Sequence, residues 1–306
     1  MKPVLRLAIL LSAALVPALS AAPLSASPKQ VLVFTKSSGF IHDGVKTDGQ
    51  PGHGFVFRVL RQLGAAHDIT LVESKDGALF SPEYLVQFDG FIFYTSGDLT
   101  MAKSDPRGDG LPPMSPPGKA ALLEAVANGK GFVGLHIASD NFHSRGNSAP
   151  GPARFDDDGD QADPYVKMLG GEFIRHAAQQ TARLEVVDPH FPGAAALPAS
   201  WLLHEEWFSL KNFAHDMHAI VVLNPAGMKG AEYQRAPFPC AWVRRHGQGR
   251  VFYTSLGHRE DVWDNPAFQS LLLGGLQWTL GRVEADVSPN LATAAPRAHV
   301  LPKYAP

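Results

Sequence analysis

The chain has 306 residues, 45% of them hydrophobic and 18% charged, enough to bury a sizeable core and unlike a disordered composition. A formal net charge of −2 gives no basic field of the kind a phosphate backbone requires, so nucleic acid is not an expected partner. Cys240 is the single cysteine, which excludes an intramolecular disulfide. In PFPCAWV it reads as a small buried hydrophobe, with a reactive thiol as the alternative.

Residues 1–26 carry Lys2 and Arg6, an apolar run from Leu7 to Leu19 and then small residues, the pattern of a secretory signal peptide. The run is short for a bilayer and contains Pro17, so cleavage is expected, leaving a periplasmic or secreted protein with no membrane span. A single α/β domain is expected over residues 27–284, followed by a loosely attached Ala/Pro-rich tail, 285–306.

KQVLVFTK reads as an apolar strand, followed by the loop SSGFIHDGVKTDGQPGHG and the amphipathic helix FVFRVLRQLGAA. DITLVES and DGFIFYTSG are further strands. PGKAALLEAVANG is a helix stopped by Gly129, and the strand GFVGLH follows at once. Apolar strands alternating with helices predict a doubly wound, mostly parallel sheet covered on both faces, with ligands bound beyond the carboxyl ends of its strands. The stretch from Asp140 to Asp163, DNFHSRGNSAPGPARFDDDGDQAD, lacks periodicity and is an inserted loop. Its acidic run departs from an EF-hand in the Gly position and the missing final Glu, so a solvated loop is expected rather than a calcium site. ARLEVVD, SWLLHEEWFSL, HAIVVLN, CAWVRR and GRVFYTSLG follow as strands, with Gln248–Gly249 as the hairpin turn between the last two. NPAFQSLLLGGLQWTLGR closes the domain as a helix.

Three histidines stand at or just beyond strand ends: His42 in KSSGFIHDG, His136 in GFVGLHIASD and His258 in VFYTSLGHRED. A parallel sheet brings such loops to one edge, where imidazoles can ligate a metal or exchange protons near neutral pH. His136 occupies the turn at which many α/β hydrolases and amidotransferases place a Ser or Cys nucleophile. Asp43 and Asp140 are neighbouring carboxylates, and a helical 136–140 would put His136 and Asp140 on one face. In LLHEEWFSL, strand alternation puts only one of Glu205 and Glu206 on a given face. Trp207 and Phe208 beside them suit stacking on a sugar ring, or equally the closing of a core. His176 follows a Gly-Gly pair that allows close backbone approach. Among the other histidines, His143 is singled out by its closeness to Asp140. HExxH is absent, so a metal site would have to be assembled from distant segments.

Five stretches in this order, VLVFTKSSGFIHDGV, FVGLHIASDNFHS, YVKMLGGEFIRHAAQQ, LLHEEWF and CAWVRRHGQGRVFYTSLGH, resemble the trehalose-utilisation (ThuA-like) family, from about Lys29 to Arg282. The resemblance implies a flavodoxin-like, class I glutamine amidotransferase-like α/β fold. His136 replaces the elbow Cys of those amidotransferases, so thiol amide hydrolysis is not expected. The family is linked to breakdown of trehalose and related disaccharides through 3-keto intermediates, which implies a lyase or hydrolase acting on 3-keto-disaccharides or 3-keto-glycosides. A sugar oxidoreductase would be its pathway partner, and no nucleotide or flavin is expected.

Its motif positions fall on His42, His136, Asp140, His176, Glu206 and His258. Catalytic roles are accordingly expected of His136, Asp140, Glu206 and His258, and substrate binding of His42, Asp43, His176 and Trp207. His136 and His258 are the expected ligands of a divalent metal such as zinc. Glu205-Glu206-Trp207-Phe208 stands where the family commonly has Asp-Glu-Trp-Tyr, and the acidic loop replaces a Trp-Pro-rich continuation after Asp140. The rival reading is a non-catalytic carbohydrate-binding or accessory protein, in which Trp207, Phe208 and Trp263 matter more than the histidines.

Overall fold

The structure, a computed structural model, describes residues 28–47, 52–146 and 151–305; the leader at 1–26 lies outside them. Strands and helices alternate first: β1 (Lys29–Phe34), α1 (Phe55–Ala65), β2 (Ile69–Ser74), α2 (Pro82–Leu85), β3 (Gly90–Phe93), α3 (Pro116–Ala127) and β4 (Gly131–Leu135). The central strands β1, β3 and β4 are buried on both faces, which is why they read as unbroken apolar runs. Then follow α4 (Pro164–Leu169), β5 (Glu172–Arg175), β6 (Gln180–Val186), β7 (Ser200–Glu205), β8 (Ser209–Lys211), β9 (His218–Asn224), β10 (Phe238–His246), β11 (Gly249–Thr254), α5 (Glu260–Trp263), α6 (Pro266–Thr279) and α7 (Leu291–Ala294).

Nine strands form one sheet in the order β2-β1-β3-β4-β11-β10-β9-β6-β7, and β5 pairs with β8 separately. From β2 to β11 the sheet is parallel, the part that strand–helix alternation predicts. From β11 outward, β10, β9, β6 and β7 are antiparallel, because hairpins rather than crossover helices join β10 to β11 and β6 to β7. The turn between β10 and β11 lies one residue earlier than read from sequence. His246 pairs with Gly249, which leaves Gly247, at φ 59°, and Gln248 as the turn residues. SWLLHEEWFSL is two strands, β7 and β8, which pair with different partners on either side of Glu206–Phe208.

Two expectations are corrected by packing. The inserted acidic loop is not simply solvated: the Asp158 carboxylate is 3% exposed and pairs with Lys211 and Arg145, both at 2.6 Å. Asp163 caps α4 by accepting from the Tyr165 N–H, and it also pairs with Lys119. The C-terminal tail is docked, not loose. The Asn290 side chain bonds both backbone polar groups of Ala219, Arg235 donates to the Ala298 carbonyl, and Arg175 Nη1 donates to that of Ala305 at 2.9 Å. Cys240 is fully buried, and burial pushes its thiol far above the usual range, as a structural hydrophobe requires. Among the described residues, no helix is long and apolar enough to cross a membrane.

Candidate metal centre

Strand direction decides which loops meet. β1, β4 and β11 run parallel, so the loops carrying His42, His136 and His258 leave the same sheet edge. β7 is reached from β11 through four antiparallel pairings, an even number, so its C-terminal end also faces that edge and delivers Glu206.

His136 is the first residue after β4 and lies in the left-handed region at φ 43°, which a non-glycine residue adopts only under constraint. Its side chain is fully buried, with Nδ1 2.8 Å from the Ser255 carbonyl. A carbonyl only accepts, so Nδ1 carries a proton, and in the neutral ring Nε2 is the nitrogen that holds the lone pair. That Nε2 stands 3.3 Å from His258 Nδ1 and 3.5 Å from Glu206 Oε1, and His258 Nδ1 stands 3.2 Å from the same oxygen. A tetrahedral site with metal–ligand distances of about 2.0–2.2 Å has edges of roughly 3.3–3.6 Å, so these three donor atoms are spaced as ligands would be. The His42 ring lies 5.3 Å from that of His136 and 5.2 Å from that of His258, centroid to centroid. Among the described residues, His42, His136, Glu206 and His258 each offer a ligand atom within 4.8 Å of the others, a group that could hold a metal ion.

Protonation suits that use at His42 and Glu206, whereas His258 would have to give up a proton to ligate. Burial, reinforced by His136 and His258, pushes His42 well below the usual imidazole range, so it is neutral and free to ligate. Burial alone would raise the Glu206 carboxyl, but contacts with His136 and His258 outweigh it and hold the group far below its ordinary value. For His258, burial lowers and the Glu206 contact raises, and the net shift is upward.

Behind this group sits Glu205, fully buried, as alternation along β7 requires. Its Oε1 accepts from the Glu206 N–H at 2.7 Å and its Oε2 from the Gly257 N–H at 3.1 Å, so one carboxyl ties Glu206 to the residue that precedes His258. Gly257, at φ 107°, has the Trp263 indole 3.3 Å from where a Cβ would stand, and its carbonyl accepts from Tyr94 and Trp263. Nothing in the sequence singled out this clamp.

The remaining expected positions divide. His176 is at the rim: its side chain is 42% exposed, with Nδ1 2.9 Å from the Ala177 carbonyl and 3.4 Å from Glu206 Oε2. The carbonyl fixes the proton on Nδ1 and leaves Nε2 free. Asp43 pairs with Lys46 at 2.5 Å and is 84% exposed, outside the group of four. Asp140 does not join His136. Residues 136–140 form a 3₁₀ turn, in which positions four apart diverge by about 120°. Asp140 instead accepts from His143 Nε2 at 2.7 Å and from the Gly97 N–H at 3.2 Å. Trp207 is fully buried and donates its indole N–H to the Gln180 carbonyl, so it cannot stack on a sugar. Phe208 is spent on the His136 ring, 4.2 Å away, and Trp263 is buried.

A second cluster was only hinted at by the nearness of His143 to Asp140. His143 Nδ1 donates to Glu172 Oε1 at 3.0 Å, and Glu172 also accepts from Ser144 and Asn212.

Residues 30–279 match the family described as ThuA, trehalose utilisation. A solved structure described as a ThuA-like protein from Bacteroides uniformis aligns at TM-score 0.58 and 18% identity, covering 89% of this chain and 99% of that one. Another from Parabacteroides merdae aligns at TM-score 0.55 and 18% identity, covering 91% and 98%. At such identities the likeness shows the fold alone. Among curated proteins, none matches this sequence.

Proposed function

The chain belongs to the ThuA trehalose-utilisation family, and from that premise we propose that it is a carbohydrate-catabolic enzyme that opens a glycosidic bond in a 3-keto-disaccharide or 3-keto-glycoside. His42, His136, Glu206 and His258 would hold a divalent metal such as zinc. The observation that carries this reading is the triangle of His136 Nε2, His258 Nδ1 and Glu206 Oε1, with the His136 tautomer set by the Ser255 carbonyl. When bound, such a cation supplies Lewis acidity to a carbonyl oxygen.

The chain's own groups account for the proton movements. A 3-keto group acidifies the hydrogen on C2, and His176 Nε2, exposed at the rim, takes that proton. The C2 electron pair becomes the C1–C2 double bond as the C1–O bond to the leaving group breaks, and the departing oxygen takes the proton from the His176 imidazolium. Addition of water across the double bond then gives net hydrolysis. Acid–base help of this kind is worth about 10²- to 10⁴-fold in rate. A sugar oxidoreductase acting earlier would introduce the keto group, and the leader-like residues 1–26 support a periplasmic or secreted setting. The accessory-protein alternative relied on Trp207, Phe208 and Trp263 as stacking surfaces, and their burial removes that support.

The test is to measure metal content and 3-keto-disaccharide turnover in the purified chain and in His136→Ala. Bound divalent metal and turnover in the first, with both lost in the second, is the expected result. Equal turnover in the two proteins removes His136 from the reaction and overturns the assignment.

A further inference from the structure

We propose that Phe40 and Arg107 form a saccharide subsite beside the histidine–glutamate group, one that takes a neutral sugar ring. The proposal rests on the carbohydrate reading above but not on the metal. Phe40 is 43% exposed, while the aromatics expected to stack on sugar, Trp207, Phe208 and Trp263, are buried. A single exposed Phe is ordinary. Here it stands two residues from His42, its ring 5.1 Å from that imidazole at 85°, so the exposed aromatic is in direct contact with a member of the proposed centre.

The backbone that carries the ring is also held in place. The Phe40 carbonyl accepts from Ser96 Oγ at 2.8 Å and the Gly39 N–H donates to the Ser96 carbonyl at 3.0 Å. The loop bearing Arg107 is stitched onto the same segment, with Ser104 N–H on the Ser38 carbonyl at 2.8 Å and Asp109 N–H on that of Ser37 at 2.7 Å. His42 and Arg107 cover part of this ring, and the C–H face of a pyranose would cover surface that they leave to solvent.

Arg107 supplies the polar half. Its guanidinium stands 5.1 Å over the Phe40 ring, and Nε and Nη2 pair with Asp105 at 2.8 and 2.7 Å, which leaves Nη1 to donate to a sugar hydroxyl. The Asp105 carboxylate, pulled down to about 2 by the Arg107 hydrogen bonds, stays ionised and neutralises that cation. A neutral polyol therefore fits better than a sugar phosphate or sugar acid.

The experiment titrates trehalose, which carries no keto group, into the full chain and into Phe40→Ala, Phe40→Leu and Phe40→Tyr, with binding followed by ligand-observed NMR and metal content measured in each. Trehalose should bind the parent chain, about tenfold more weakly to Phe40→Ala and Phe40→Leu, and within about twofold of the parent to Phe40→Tyr. Metal content should be the same in all four. Phe40→Leu preserves an apolar side chain of similar bulk, so binding to it at the parent's affinity would overturn the subsite. So would a parent chain that binds metal but no trehalose, an outcome that leaves the metal reading standing. Tighter binding of glucose 6-phosphate than of trehalose would overturn the neutral-ring assignment.

Discussion

His136 and His143 lie in two buried clusters seven residues apart along the chain, and their second nitrogens set them apart. His136 places Nδ1 on a backbone carbonyl and turns Nε2 toward a second imidazole and a carboxylate. His143 places Nδ1 on Glu172 and Nε2 on Asp140, two carboxylates that can only accept when ionised, so both nitrogens carry protons and the ring is a paired cation. The first cluster keeps an electron pair available; the second has none to offer. Burial and residue type are alike in the two, so what separates a ligand from a structural ion pair is the Nδ1 partner, a carbonyl in one and a carboxylate in the other, and how close a carboxylate comes to Nε2: 3.5 Å for Glu206 on His136 against 2.7 Å for Asp140 on His143.

The sharpest break in this contrast comes from truncating each ring. His136→Ala should weaken binding of zinc to the folded chain by more than about 100-fold, beyond the 10- to 100-fold range of changes outside the ligand shell, as read by competition with a chelator. His143→Ala should do the reverse, leaving zinc content intact while costing about 3–5 kcal/mol in urea denaturation, because Glu172 and Asp140 lose the cation between them. Metal loss in the second variant would merge the two clusters into one site.

Glu205→Gln tests the clamp behind the first cluster. An amide offers one acceptor where the carboxylate uses two, so either the Glu206 or the Gly257 N–H is left unpaired, and zinc affinity should fall about 10- to 100-fold with the fold retained.

The smallest effect is in the pH dependence of the second cluster. Burial lowers His143, but its bonds to Asp140 and Glu172 more than offset this and raise it above the ordinary imidazole value. A raised folded-state value means that its contribution is complete below about pH 6.5 and is lost as pH climbs through the raised value. Glu172 behaves oppositely. Burial would raise it, the His143 contact lowers it further, and its share is lost only as pH falls through the depressed value. The stability gap between the parent chain and His143→Ala should therefore shrink from pH 6 toward alkaline pH; a gap that grows would show that the ring is not a paired cation.

Much of the first cluster was legible in the sequence because strand direction is. Apolar runs mark strands, parallel strands share a carboxyl edge, and His42, His136 and His258 each follow such a run. Glu206 joined the site through the family resemblance and not through any local pattern, since its approach depends on an even count of antiparallel pairings that no such pattern records. Asp140 falls elsewhere because a helix and a 3₁₀ turn differ only in hydrogen-bond spacing, yet over four residues that difference turns a side chain about 80° further aside. Trp207 was misread because an indole beside two carboxylates looks the same whether its N–H meets a ligand or, as here, the Gln180 carbonyl of the neighbouring strand. No local pattern marks Phe40, because its distinguishing property is exposure, which a sequence does not carry.

The left-handed backbone at His136 has a consequence for how this position tolerates change. Glycine ordinarily weakens a fold relative to alanine, but at φ 43° the preference inverts, and His136→Gly should be about 1 kcal/mol more stable than His136→Ala. Selection for foldability alone would drift this elbow toward glycine. An imidazole persists there only as long as something other than stability selects for it, so position 136 offers a direct gauge of the trade-off between conformational ease and chemistry in this chain.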